Sequence, residues 1–124
     1  MPIHESFEVK RGVGMSRPVG ECTLVEAVEV VKHAIARSRT QRLAALLISA
    51  RGIYGVPIPN LIDRFLAVED WADAAQGMLS VALVVHPKYI HPQRFGVKVA
   101  SDFGLSMDVF TSETNALAWL AREM

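Results

Sequence analysis

At 124 residues the chain has the length of one domain and can bury roughly two thirds of the surface its unfolded form exposes. Apolar residues make up 51% of it, enough for a packed core and too many for a disordered chain, while thirteen basic and thirteen acidic residues cancel and leave no net field to gather nucleic acid or an anionic membrane. Cys22 is the only cysteine, which excludes an internal disulfide and a multi-cysteine metal site and points to a reducing, cytoplasmic setting.

Phe7 and Val9 alternate with Glu8 and Lys10, which predicts a strand exposed on one face. Arg11-Gly12 makes the turn, and a second strand follows over 13–16. Pro18 donates no ladder hydrogen bond, so this strand lies at an edge or stops there. Thr23 followed by Glu26 is a capping box, and Leu24, Val28, Val31 and Ile35 recur behind it at helical spacing, predicting a helix over 23–38. The run 43–48 is apolar without alternation, as in a central strand covered on both faces. Gly52, Gly55, Pro57 and Pro59 make 51–59 an irregular loop, with Pro59 tolerated in the first turn of the next helix. Leu61, Phe65, Val68 and Ala72, flanked by Ile62 and Leu66, form that amphipathic helix, which Gly77 ends.

The run 78–85 is a second buried strand ending in His86-Pro87. Pro92 opens a helix containing Phe95, Val99 and Phe103, and Gly104 closes it. The last strand is 105–110. Thr111 or Ser112 caps a terminal helix with Leu117, Leu120 and Met124 inward and Glu113 in its first turn. The order ββαβαβαβα predicts a single α/β domain over 1–124, a mixed, mostly parallel five-stranded sheet with four helices and an antiparallel edge. No basic segment precedes an apolar one at MPIHESFEV, and no uncharged run approaches the ~20 residues of a membrane span.

The closing string VFTSETNALAWL resembles the end of the SpoIIAA-like branch of the STAS superfamily, and RFLAVEDWADAAQG and VALVVHPKYIHPQRFGVKVASDFGL are similar to uncharacterised bacterial members of it. The likeness runs from about Thr23 to the end. It implies the same element order and a regulator that binds a protein partner, switched in the best-known members by phosphorylation of a serine where the helix after the central strand begins. No serine or threonine occurs over 50–79, and Ser49 falls at the strand end, so the switch is not expected here. Some relatives are grouped with SEC14-type lipid-binding domains, which implies a cavity.

The chain carries no G-x-S-x-G elbow, G-x-G-x-x-G turn or P-loop, so acyl transfer, dinucleotide binding and nucleotide hydrolysis lack their mechanical parts. In an open α/β sheet a ligand sits beyond the carboxyl ends of the parallel strands. That edge holds Ser49, Arg51, Tyr54 and the His86-Pro87 turn, with Asp63, Lys88 and Arg94 near it. Arg51 has the planar fork that grips an anion or a partner carboxylate; the alternative is a surface arginine that tethers its own loop. His86 and His91 each precede a proline and share no helical face, so they read as turn residues rather than metal ligands. Glu69, Asp70 and Asp73 read as a solvated or partner-facing acidic face beside Trp71, which is core or interface. Cys22 precedes a helix cap that could acidify its thiol; the alternative is a small buried residue.

Two functions follow. One is a non-enzymatic module that binds a protein partner or its own copy, as a homodimer, through the loop after the central strand and the adjoining helix. The other is a domain whose pocket at the same strand ends takes a small apolar or anionic ligand or a lipid. Neither needs a cofactor or a metal. An enzyme would need Asp63, His86 or Tyr54 to converge.

Overall fold

The computed structural model describes residues 3–123. β1 (Phe7–Lys10) and β2 (Val13–Ser16) form an antiparallel hairpin with Phe7 opposite Ser16 and Lys10 opposite Val13. Its two-residue turn places both Arg11 and Gly12 at positive φ, the geometry that matches the twist of the flanking strands. After β3 (Gly20–Glu21), the Thr23 hydroxyl and the Glu26 carboxylate close the expected capping box on α1 (Leu24–Thr40).

β4 (Ala45–Ser49) is wholly buried and is the middle strand of the main sheet, β1-β2-β4-β6-β7. β6 (Ser80–Val84) and β7 (Ser106–Phe110) extend it in parallel, Leu47 facing Ala82 and Ala82 facing Asp108. α2 (Leu61–Ala75) and α3 (Phe95–Asp102) lie with α1 on one face of the sheet, and α4 (Glu113–Glu123) alone covers the other. Strand alternation divides the core accordingly. Leu46, Ile48, Val81 and Met107 meet Val31, Ile35, Val68 and Trp71, while Val13, Leu47, Ala82 and Val84 meet Ala116 and Leu120. The indole N–H of Trp71 donates to the Val28 carbonyl at 3.0 Å, which fastens α2 to α1 and makes this residue core.

The mixed α/β sheet with four helices is the expected one, and its details differ in instructive ways. β5 (Ile53–Tyr54) lies inside the loop expected to be irregular, paired in parallel with β3. Pro59 stands outside α2, whose N-cap is Asn60. Pro92 does not open α3: a 3₁₀ turn over Pro87–Tyr89 comes first, and Arg94 in left-handed conformation precedes Phe95. Ser112 caps α4, accepting from the Asn115 amide. Leu120 is buried but Leu117 is exposed, and Met124 lies outside the described residues. No helix among the described residues is long and apolar enough to cross a membrane.

Candidate functional site

Beyond the carboxyl ends of β4, β6 and β7 the three helices do not close fully on the sheet. An apolar cavity of about 150 Å³ remains, floored by Leu83 and Val109 and walled by Val28 and Val31 of α1 and Ala67 and Val68 of α2. Leu83 belongs to an inner strand of the sheet yet is only half-buried, which is the local signature of that unfilled space.

The segment 50–60 roofs the cavity with Ile53, Val56 and Pro59 and is pinned from several sides. Gly20 and Cys22 donate their amides to the Gly52 and Tyr54 carbonyls, at 3.1 and 3.0 Å. The Tyr89 hydroxyl donates to the Val56 carbonyl at 2.6 Å. Arg64, from the first turn of α2, donates through Nε to the Pro59 carbonyl and through Nη1 to the Tyr89 carbonyl, at 3.2 and 2.9 Å. Burial pushes this guanidinium below its usual pKa. It has no carboxylate partner among the described residues.

The residues singled out from the sequence are engaged separately rather than as one cluster. Asp63 borders the cavity, its carboxylate accepting from the Asn60 amide while Asn60 accepts from the Asp63 amide in a second capping box. Arg51 donates to the Thr111 carbonyl at 3.3 Å, so its fork ties the roof to the turn before α4. Tyr54 is exposed on β5. His86 accepts from the Lys88 amide through Nδ1 and starts the 3₁₀ turn, and His91 serves the Gln93 amide in the same way. Lys88 lies 5.3 Å from the ring centre of Tyr89. Arg94 is paired with Asp108 and also donates to the Val109 carbonyl. Ser49 ends β4, buried, and its hydroxyl helps to lower the pKa of Glu113 at the start of α4. Cys22 is the small buried residue of the two alternatives: burial, and then the nearby Glu26 carboxylate, push its thiol up rather than down.

Between the amino-terminal half of α1 and α2 runs a groove with Leu24, Val25, Val28 and Leu66 on it and Glu29, Glu69 and Asp73 along it. Val25 is 73% exposed and Leu66 54%. Asp70 leaves the expected solvated face and pairs with Lys32 of α1 at 3.0 Å. The apolar stripe expected on α2 is therefore buried only from Ala67 onward. Leu61, Ile62, Phe65 and Leu66 are all exposed, in an apolar stretch wider than one helical stripe needs for packing. Neither feature is legible in the sequence: the spacing of Leu61, Phe65, Val68 and Ala72 predicts a packed stripe, and a lone arginine inside an apolar run carries no motif.

No protein family's profile and no curated protein matches the chain. Solved structures do. An anti-sigma factor antagonist from Mycobacterium paratuberculosis superposes with a TM-score of 0.61 at 15% identity, over 97% of this chain and 95% of that one. An uncharacterised protein of the DUF3478 family with a SpoIIAA-like fold, from Shewanella loihica PV-4, superposes with a TM-score of 0.53 at 18% identity, over 95% and 93%. At these identities it is the fold that is shared, and the chain has a SpoIIAA-like fold.

Proposed function

We propose that the chain is a non-enzymatic STAS-type interaction module that takes a basic, amphipathic segment of a partner protein in the groove between α1 and α2. The observation that carries this is an exposed apolar surface edged by charge of one sign: Val25 and Leu66 beside Glu29, Glu69 and Asp73, in a chain whose net charge is zero. Lys32 of α1 is held by Asp70, which lines the groove. A helix with leucines on one side and lysines or arginines flanking them complements both features at once. The fold's likeness to an anti-sigma factor antagonist supports protein binding as the kind of function. The absence of serine and threonine over 50–79, with Asn60 at the start of α2, supports binding that is not gated by a phosphoserine there.

The test is isothermal titration of the protein that co-purifies with the chain from its own cells. Binding should weaken with salt, and E69K/D73K, on two exposed positions, should weaken it at least tenfold with an unchanged circular-dichroism spectrum. Salt-independent binding that survives E69K/D73K overturns the groove as the docking surface, as does finding only a second copy of the chain bound elsewhere.

A second reading is favoured by the cavity: a small apolar ligand held under the 50–60 segment at the strand ends.

A further inference from the structure

We infer that the cavity is a binding site for a small monocarboxylate, its apolar body in the space between helices and sheet and its carboxylate on Arg64. The inference rests on the cavity reading and names the ligand's chemical class.

Three observations converge. The cavity wall is almost wholly apolar, from Leu83 and Val109 to Val28 and Val68, so water inside it finds few partners. An apolar cavity of about this volume holds a benzene-sized guest, which sets the ligand's apolar body at roughly six carbons. The third is Arg64 itself. Every arginine elsewhere that is tied to a carboxylate here, Arg17 and Arg94, sits at the periphery; Arg64 lines the cavity, half-buried, with only two carbonyls as acceptors. A guanidinium has five N–H donors in a rigid fork. Nε and one hydrogen of Nη1 are used, and Nη2 has no partner among the described residues. Removing a cation from water without a counter-charge is unfavourable, and an incoming carboxylate supplies that counter-charge together with two acceptors for the free donors.

Asp63 also borders the cavity and opposes an anion, but its carboxylate is turned to the Asn60 amide at the head of α2. A neutral guest leaves Arg64 as it is, and a cationic guest meets it as a like charge. The remaining combination is an apolar body with one negative group.

The experiment compares hexanoate with hexan-1-ol, probes of equal chain length that differ in charge, by NMR titration of the whole chain. Wild type should bind hexanoate at least tenfold more tightly than hexan-1-ol, with the largest shifts at Leu83, Val109 and Gly96. R64M should bring the two affinities together, and R64K should restore part of the difference. A loosened roof in R64M would alter both probes equally, so the ratio separates loss of charge recognition from loss of structure. Equal affinities in wild type, or a ratio unmoved by R64M, overturn the carboxylate site while the cavity reading stands. If neither probe binds, both readings fall.

Discussion

Arg17 and Glu113 lie 96 positions apart, and their side chains meet as a two-point pair, Nε to Oε2 at 3.0 Å and Nη2 to Oε1 at 2.9 Å. Nη1 of the same arginine reaches Glu8 at 3.1 Å, so one guanidinium joins β1, the segment after β2 and α4. The hydrogen bonds from Arg17, then its charge and the Ser49 hydroxyl, hold the Glu113 carboxyl below the usual carboxylate range against the opposing effect of burial. A carboxyl whose folded pKa lies below its unfolded value contributes stability that is present above the unfolded pKa and is lost as pH falls through the folded one. Both side chains are more than a third exposed, so solvent screening keeps the pair to about 1 kcal/mol despite its two-point geometry. E113Q should therefore lower the unfolding free energy by about that amount at pH 7, in urea titrations with an unchanged slope. The difference from wild type should shrink as pH drops below the carboxylate range. A deficit that persists undiminished in acid would place the cost in lost packing rather than in the charge.

At the scale of elements, the two long helices begin with the same device written in different residues. Thr23 with Glu26 is the familiar form of a capping box and was legible in the sequence; Asn60 with Asp63 performs the same exchange but hid behind Pro59, which drew the expected helix start two residues early. N60A should cost about 1 kcal/mol. Because Pro59 also accepts from Arg64, amide exchange in that variant should quicken in the first turn of α2 and in the roof above the cavity before it does in β4. Strands β4 and β6 could be read from their apolar runs without alternation, since covering both faces of the sheet leaves no polar side. The β3–β5 ribbon could not, because two-residue strands carry no period and form only where the chain is already folded beside itself. The same limit applies to the site. The spacing of Leu61, Phe65 and Val68 predicts the helix but not that its first turns stay exposed, and the cavity and the isolation of Arg64 arise from how three helices meet a sheet, a relation that local sequence does not encode.

At the scale of the whole molecule, the two faces of the sheet are covered unequally. Three helices share one face and leave the cavity, while α4 alone seals the other by setting Ala116 and Leu120 against Ala45, Leu47, Ala82 and Val84. Leu120 is fully buried in that layer, so truncating it opens a void that no second helix can move to fill. L120A should lose about 2–5 kcal/mol, the range for a large side chain removed from a tight core. For a domain of this length that lowers Tm by on the order of 10 °C. Leu83 stands one strand position away from Ala82 and Val84 but points to the opposite face, where it borders space that is already empty. L83A removes the same atoms with fewer contacts to lose, so its cost should fall below that of L120A, to less than about 2 kcal/mol. Urea midpoints of the two variants measure the asymmetry directly. Equal losses would mean that Leu83 is packed as tightly as Leu120 and that the helices close on the sheet without a cavity, which removes the proposed ligand site and leaves the proposed groove between α1 and α2.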